Sequence, residues 1–270
     1  MKKLLLLILV LFISCDFSSA NTWQNLQQNL VLWYAFEDNE SNTTVLDSSG
    51  NGYHGVSVRN TEDMRVDGLV NGAFLFNGIN DVVNSQQLLQ DVFRDEWTIA
   101  FWYFNYDIEQ EVTRTFYGWT YLYGSDTARI YNKITSGLDL LFSYEAIGKT
   151  HTTETIPYGT YIVEGDEWVF YTVTFRIIEQ WESYFDFYKN GVHIRTRRSE
   201  QDNLPESFDS RATFPIGALR YMDGVLDEYR EYYYGLMDNF MLFNKALSQE
   251  EVSFLYVKAT KLNGYVLIKR

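Results

Sequence analysis

The chain has 270 residues, 22 Lys and Arg against 36 Asp and Glu, and a formal net charge of −14. A surface this acidic repels phosphate backbones and anionic lipid heads, so nucleic-acid binding is excluded as a main function, while divalent cations are welcome. Aromatics make up 17% of the residues and Pro numbers only 3, which excludes a disordered chain and favours pleated, half-buried strands.

The chain begins with Lys2 and Lys3 and an unbroken apolar run over 4–13. Ten residues are too short to span a bilayer but suit the apolar region of a secretion signal. Two cleavage readings stand. Phe12-Ile13-Ser14-Cys15 resembles a bacterial lipoprotein box with Cys15 lipidated, and Ser18-Ser19-Ala20 offers a small-residue site before Asn21. The expected division is a signal over 1–20, a linker over 21–29, one domain over 30–258 and a strand or tail over 259–270. Cys15 is the only cysteine, so the exported domain holds no disulfide and depends on its core.

From residue 30 onward, short runs rich in Val, Ile, Thr and aromatics alternate with turn signals. The runs are Leu30–Phe36, Phe74–Phe76, Thr98–Tyr106, Trp168–Ile178, Tyr184–Tyr188 and Leu236–Phe243. Between them Asn-Gly recurs at 51–52, 71–72, 77–78 and 190–191, and Asp-Gly at 67–68 and 223–224. These dipeptides supply the positive φ angles of tight hairpins. Many short strands with frequent turns predict a sandwich or jelly roll. One helix is signalled near 248–257. Ser248 and Glu251 form a capping box, Leu247 and Val252 a hydrophobic staple, and Val252, Leu255 and Tyr256 share one face.

Four segments in order carry a resemblance. They are Leu30–Glu37 with Asp47–Gly55; Gly72–Val83; Trp168–Phe175 with Phe187–Gly191; and Gly235–Ser248. Together they resemble the laminin-G-like, concanavalin-A-like jelly-roll superfamily in its bacterial three-motif form, over about residues 30–258. The resemblance implies an all-β sandwich of two antiparallel sheets. It leaves function open, because the superfamily includes glycan-binding modules, adhesins and glycoside hydrolases.

Many relatives hold a structural Ca²⁺ between the first strand region and the penultimate strand. By that resemblance the ligands here are Glu37, Asp47, Asn51 and Asp238, an oxygen set suited to a hard cation. Asp107-Ile108-Glu109-Gln110-Glu111 resembles the Glu-x-Asp-x-Glu strand of jelly-roll glucanases with its first two acids exchanged. The exchange shortens one of the outer acids, which do the chemistry, and favours a solvated strand end. Cysteine, serine and zinc chemistry find no support: His54, His151 and His193 are scattered and no Gly-x-Ser-x-Gly occurs. Arg195, Arg197 and Arg198 are expected in surface ion pairs.

Aromatic platforms for sugar rings are sought in two places. Tyr117, Trp119, Tyr121 and Tyr123 alternate on one strand face opposite Phe116 and Leu122, and one of the two faces is core. Tyr232-Tyr233-Tyr234 closes a tyrosine-rich, acidic stretch from Asp223, read as a surface insertion. Consecutive strand residues point to opposite faces, so at least one of the three is exposed. The expected function is therefore a non-catalytic, exported or cell-surface recognition module for a glycan or an extracellular protein, calcium-stabilised. It meets a membrane only through the N-terminal lipid. The ligand residues are Tyr232, Tyr233, Tyr234, Trp119 and Tyr121. The alternatives are a glycoside hydrolase at Asp107, Glu109 and Glu111, and a purely structural or adhesive module.

Overall fold

The computed structural model describes residues 22–93, 96–106, 112–123, 126–145, 152–157, 167–179, 182–199 and 213–261. The signal segment, Cys15, the acids at 107, 109 and 111, and the tail beyond 261 lie outside the described residues.

Helix α1 covers residues 22–29. Then come β1 (Leu30–Tyr34), β2 (Thr44–Val45), β3 (Gly55–Ser57), α2 (Thr61–Met64), β4 (Arg65–Asp67), β5 (Gly72–Asn77) and β6 (Val83–Leu88). The middle of the chain forms β7 (Trp97–Asn105), β8 (Arg114–Tyr123), β9 (Asp126–Ile134), β10 (Leu140–Glu145) and β11 (Thr152–Ile156). The remainder forms β12 (Trp168–Glu179), β13 (Glu182–Lys189), β14 (Val192–Ser199), β15 (Thr213–Ile216), β16 (Leu219–Met222), β17 (Asp227–Arg230), β18 (Tyr234–Phe243) and α3 (Gln249–Lys261).

The strands assemble into two sheets. The first runs β14-β13-β12-β7-β18-β5-β4, with β1 on β18; the second runs β11-β10-β9-β8-β15-β6-β3-β2, with the β16–β17 hairpin attached to β8. Named strand pairs are antiparallel except β16 on β8. This is the expected jelly-roll sandwich.

Between the sheets lies an aromatic core. Phe101 of β7 stacks on Phe240 of β18 at 5.5 Å, and Phe175 of β12 meets Phe185 of β13 at 4.8 Å. Each fully buried ring of this kind contributes roughly 1.5–3 kcal/mol by transfer from water. The alternation at Tyr184–Tyr188 works as expected: Phe185 and Phe187 enter this core and Asp186 points away to pair with Arg176.

A second apolar layer covers the outer face of the first sheet. Ala100, Trp102, Phe170, Tyr188, Met241 and Phe243 face outward and are sealed by Leu26 of α1 and by Val252 and Leu255 of α3. That is why β7 and β18 read as nearly continuous apolar runs: both of their faces are buried. Residues 22–29 are thus a packed helix and not a linker. The capping box forms as read, with Ser248 N–H donating to Glu251 Oε2 at 2.9 Å and Glu251 N–H to Ser248 Oγ at 3.3 Å. The helix continues to Lys261, four residues past the expected end.

Two irregularities decide which side chains point inward. In β8 the register shifts between Thr115 and Tyr117, so Phe116 and Tyr117, sequence neighbours, both enter the core. In β18 it shifts between Asp238 and Met241, where Asn239 adopts φ 52°. Just after the first bulge, Gly118 holds φ 125°, and a Cβ there would lie 2.0 Å from the Ile130 carbonyl oxygen. Gly118→Ala is expected to cost about 3 kcal/mol or more, since both the dihedral and the backbone contact resist it. A urea midpoint equal to the wild type's would refute this.

The edge strands are tied across the sandwich. Glu154 of β11 is buried and receives Arg195 Nε of β14 at 2.5 Å, with Arg197 Nε at 3.8 Å. Arg198 pairs with Glu182 at 2.8 Å. The three arginines therefore sit in ion pairs, as expected, and their charge guards the β14 edge.

Candidate functional site: a bulge-borne acid pair and an outer-face aromatic row

The four oxygen-bearing residues expected around calcium divide into two pairs. Asp47 is consumed by its own loop. Its Oδ1 accepts the N–H groups of Trp33 and Ser49, and its Oδ2 accepts Ser49 Oγ–H and Tyr53 N–H. The Asn51 amide donates to the carbonyls of Leu30 and Val31 at 2.8 and 3.0 Å. These two residues fix the 47–53 loop against β1.

Glu37 and Asp238 are near enough for their charges to interact. Asp238 sits in the β18 bulge, is fully buried, and accepts Val70 N–H at 3.1 Å and Asn239 Nδ2–H at 2.6 Å. Burial first, then the nearby Glu37 carboxylate, pushes its carboxyl well above the ordinary value. Glu37 accepts Gly72 N–H at 2.9 Å and is likewise raised, mainly by burial. Arg65 stands 4.0 Å from Glu37 and only partly offsets the charge. Among the described residues no three His, Cys, Asp or Glu side chains converge. The pair offers two carboxylates within electrostatic reach of each other, one of them buried, and carboxylate oxygen is the donor type a hard cation takes.

The aromatic candidates are largely core. Trp119 and Tyr121 are 3% and 8% exposed and belong to the inter-sheet cluster, so the ladder's Tyr117 face is the inner one. Tyr233 is fully buried, its hydroxyl shared between Phe104 O and Asn105 Oδ1, both at 3.0 Å. Trp119, Tyr121 and Tyr233 are therefore corrected from ligand residues to packing residues. Alternation in an extended segment leaves Tyr232 and Tyr234 half-buried on the other side. The stretch from Asp223 is an ordered hairpin, β16–β17, and not an appended loop: Asp223 Oδ1 accepts the N–H groups of Val225 and Leu226. Beside it lies a cleft of about 160 Å³ lined by Tyr121, Arg220, Met222 and the tip residues.

Of the three tyrosines, Tyr234 joins a feature not anticipated from sequence. On the outer face of the first sheet, beyond the cover of α3, Trp168 contacts Phe104 at 5.7 Å, Phe104 contacts Tyr106 at 5.4 Å, and Tyr106 contacts Tyr234 at 5.8 Å. All four rings are half-buried. The Arg114 guanidinium lies 5.2 Å from the Tyr234 ring centre. The row continues the sealed layer, since Tyr256 of α3 lies on Trp102 at 5.5 Å and Trp102 shares the strand face of Phe104. Strand alternation puts Trp102 and Phe104 of β7, and Tyr106 just after it, on one face. It could not show where α3 would stop covering them.

Comparisons with known proteins place this architecture. No curated protein matches the chain in sequence. Among solved structures, it is similar to the binding domain of Paraclostridial Mosquitocidal Protein 1, with 17% identity and a TM-score of 0.60 over 86% of this chain and 52% of that one. It is similar to the botulinum neurotoxin DC binding domain solved with SialylT, with 15% identity and a TM-score of 0.59 over 87% and 52%. The same toxin domain solved with rat synaptotagmin II gives 15% and 0.60 over 88% and 53%. The chain spans about half the length of these structures, and at such identity the likeness concerns the fold. A family profile described as the concanavalin A-like lectin/glucanases superfamily matches residues 76–253, from β5 through the first turns of α3. With more than half of its length matched and the sandwich formed as that superfamily requires, the chain belongs to the Laminin_G_3 family.

Proposed function

We propose that the domain is a non-catalytic recognition module, exported or held at the cell surface, that binds a glycan or an extracellular protein through the Trp168–Phe104–Tyr106–Tyr234 row. The row itself carries this reading. Half-exposed rings on a rigid sheet give flat apolar faces for sugar rings or protein side chains, and Arg114 at one end supplies fixed donors. The similar toxin domains are solved with a glycan and with a protein, which supports both ligand classes. No helix of the described residues is long and apolar enough to cross a membrane. A structural Ca²⁺ is proposed at Glu37 and Asp238, the latter four residues along β18 from Tyr234 of the row.

Glycan-array and partner-binding measurements on the mature domain test the row. Tyr234→Ala and Trp168→Ala are each expected to weaken binding by at least ~1 kcal/mol, about fivefold, as truncation of anchor aromatics does. The melting temperature should move little, because both rings are already partly in water. Unchanged affinity in both variants would exclude the row. No β-glucan or galactan should be hydrolysed; reducing ends released by the wild type but not by Glu111→Gln would make the protein an enzyme.

A further inference from the structure

The core between the sheets is built of aromatic and aliphatic side chains, yet three hydrogen-bonding side chains meet inside it. Tyr117 of β8 and Asn132 of β9 are directly opposed across their strands, and Tyr171 of β12 reaches them from the other sheet. All three are fully buried. Asn132 Nδ2–H donates to Tyr171 Oη at 3.0 Å. That bond leaves the Asn132 carbonyl oxygen and the Tyr117 hydroxyl without a protein partner. Tyr117 is boxed by Phe101, Phe214 and Phe240 at 5.6–5.8 Å, which offer it nothing to bond. The Tyr117 and Tyr171 hydroxyls are close enough to influence each other, and burial holds both protonated.

Each unmet group costs about 1–3 kcal/mol when buried, so a native core does not carry two side by side. Turning the Asn132 amide over helps only in part. Its oxygen would then accept from Tyr171, and Tyr117 would still lack an acceptor. A water molecule satisfies the set: it accepts from the Tyr117 hydroxyl and donates to Asn132 Oδ1, with Tyr171 as a third neighbour, the usual two to four bonds of an internal water.

We propose that the sandwich encloses one structural water held by Tyr117, Asn132 and Tyr171, which hydrogen-bonds the two sheets together at the centre of their aromatic core. The site takes water and no larger ligand, since Phe101, Phe214 and Phe240 pack around the Tyr117 ring. It is independent of the outer-face row.

A crystal structure fine enough to order internal waters should show a peak within hydrogen-bond distance of Tyr117 Oη and Asn132 Oδ1. Oxygen-17 relaxation dispersion on the wild-type domain should count one more long-lived water than on Tyr117→Phe with Asn132→Leu. If that double variant does not fold, Tyr117→Phe alone is crystallised, and the peak should weaken or vanish. A direct Tyr117–Asn132 hydrogen bond with no peak, or an unchanged count of long-lived waters in a folded variant, overturns the proposal.

Discussion

Arg59→Met is expected to cost the domain about 3–5 kcal/mol, because it strands a buried carboxylate. Asp81 is fully buried in the turn after β5. Its oxygens receive Arg59 Nε and Nη2, both at 2.8 Å, and Asn77 N–H at 2.9 Å. Arg59 also donates to the carbonyls of Asp63 and Leu75, so one guanidinium ties α2, β5 and the Asn77–Asp81 turn together. Methionine keeps the stem and removes the fork. The double variant Arg59→Met with Asp81→Asn should recover a large part of the loss, since it removes the uncompensated charge. Urea titration of the four proteins gives the coupling. Equal stability of Arg59→Met and the wild type would show that the pair contributes nothing beyond surface packing.

Local signals were legible in the sequence. The Ser248–Glu251 capping box and the Asn190-Gly191 turn, with φ 51° and 76°, depend on residues within one turn of each other and formed as read. The order of four motifs was enough for the jelly roll, because a sandwich core tolerates many side chains if the pattern of buried positions is kept. The inner and outer faces of β8 were not legible. A bulge at Thr115–Tyr117 sends Phe116 and Tyr117 inward together, which a strict two-residue period cannot represent. Helix α1 was equally hidden: its eight residues carry one deeply buried side chain, Leu26, and its stability comes from a sheet face built mostly by residues of distant strands, β7, β12, β13 and β18.

The site was legible only in part for the same reason. Glu37 and Asp238 are some 200 residues apart in the chain, and nothing local says that their charges interact while Asp47 and Asn51 turn back to β1. The tyrosine triplet shows how far alternation reaches. It established that the three could not all be buried, but which one was depended on Tyr233 finding Phe104 O and Asn105. The aromatic row needed the register of three strands and the end of α3, all of them long-range.

The acid pair makes opposite predictions with and without calcium. Asp238 is raised above its ordinary value chiefly by burial, and so are Glu37 and the neighbouring Asp38. For an acid raised in the folded state, the neutral form is the one the fold favours. Its stabilisation is fully present below the unfolded pKa and is lost as pH rises through the folded one. In EDTA, therefore, the wild type should lose stability as pH rises above the ordinary carboxylate range. Asp238→Asn, which mimics the neutral acid, should lose less and be the more stable protein at neutral pH. Calcium reverses the order. A cation bound between Glu37 and Asp238 favours their ionised forms and adds about 2.7 kcal/mol at a hundredfold excess over Kd. At neutral pH the wild-type melting temperature should then rise on adding calcium, and that of Asp238→Asn should not. Glu37→Ala should abolish the calcium response as well. A wild-type melting curve indifferent to calcium and chelator would remove the metal from this domain, and the acid pair would then act only through its protons.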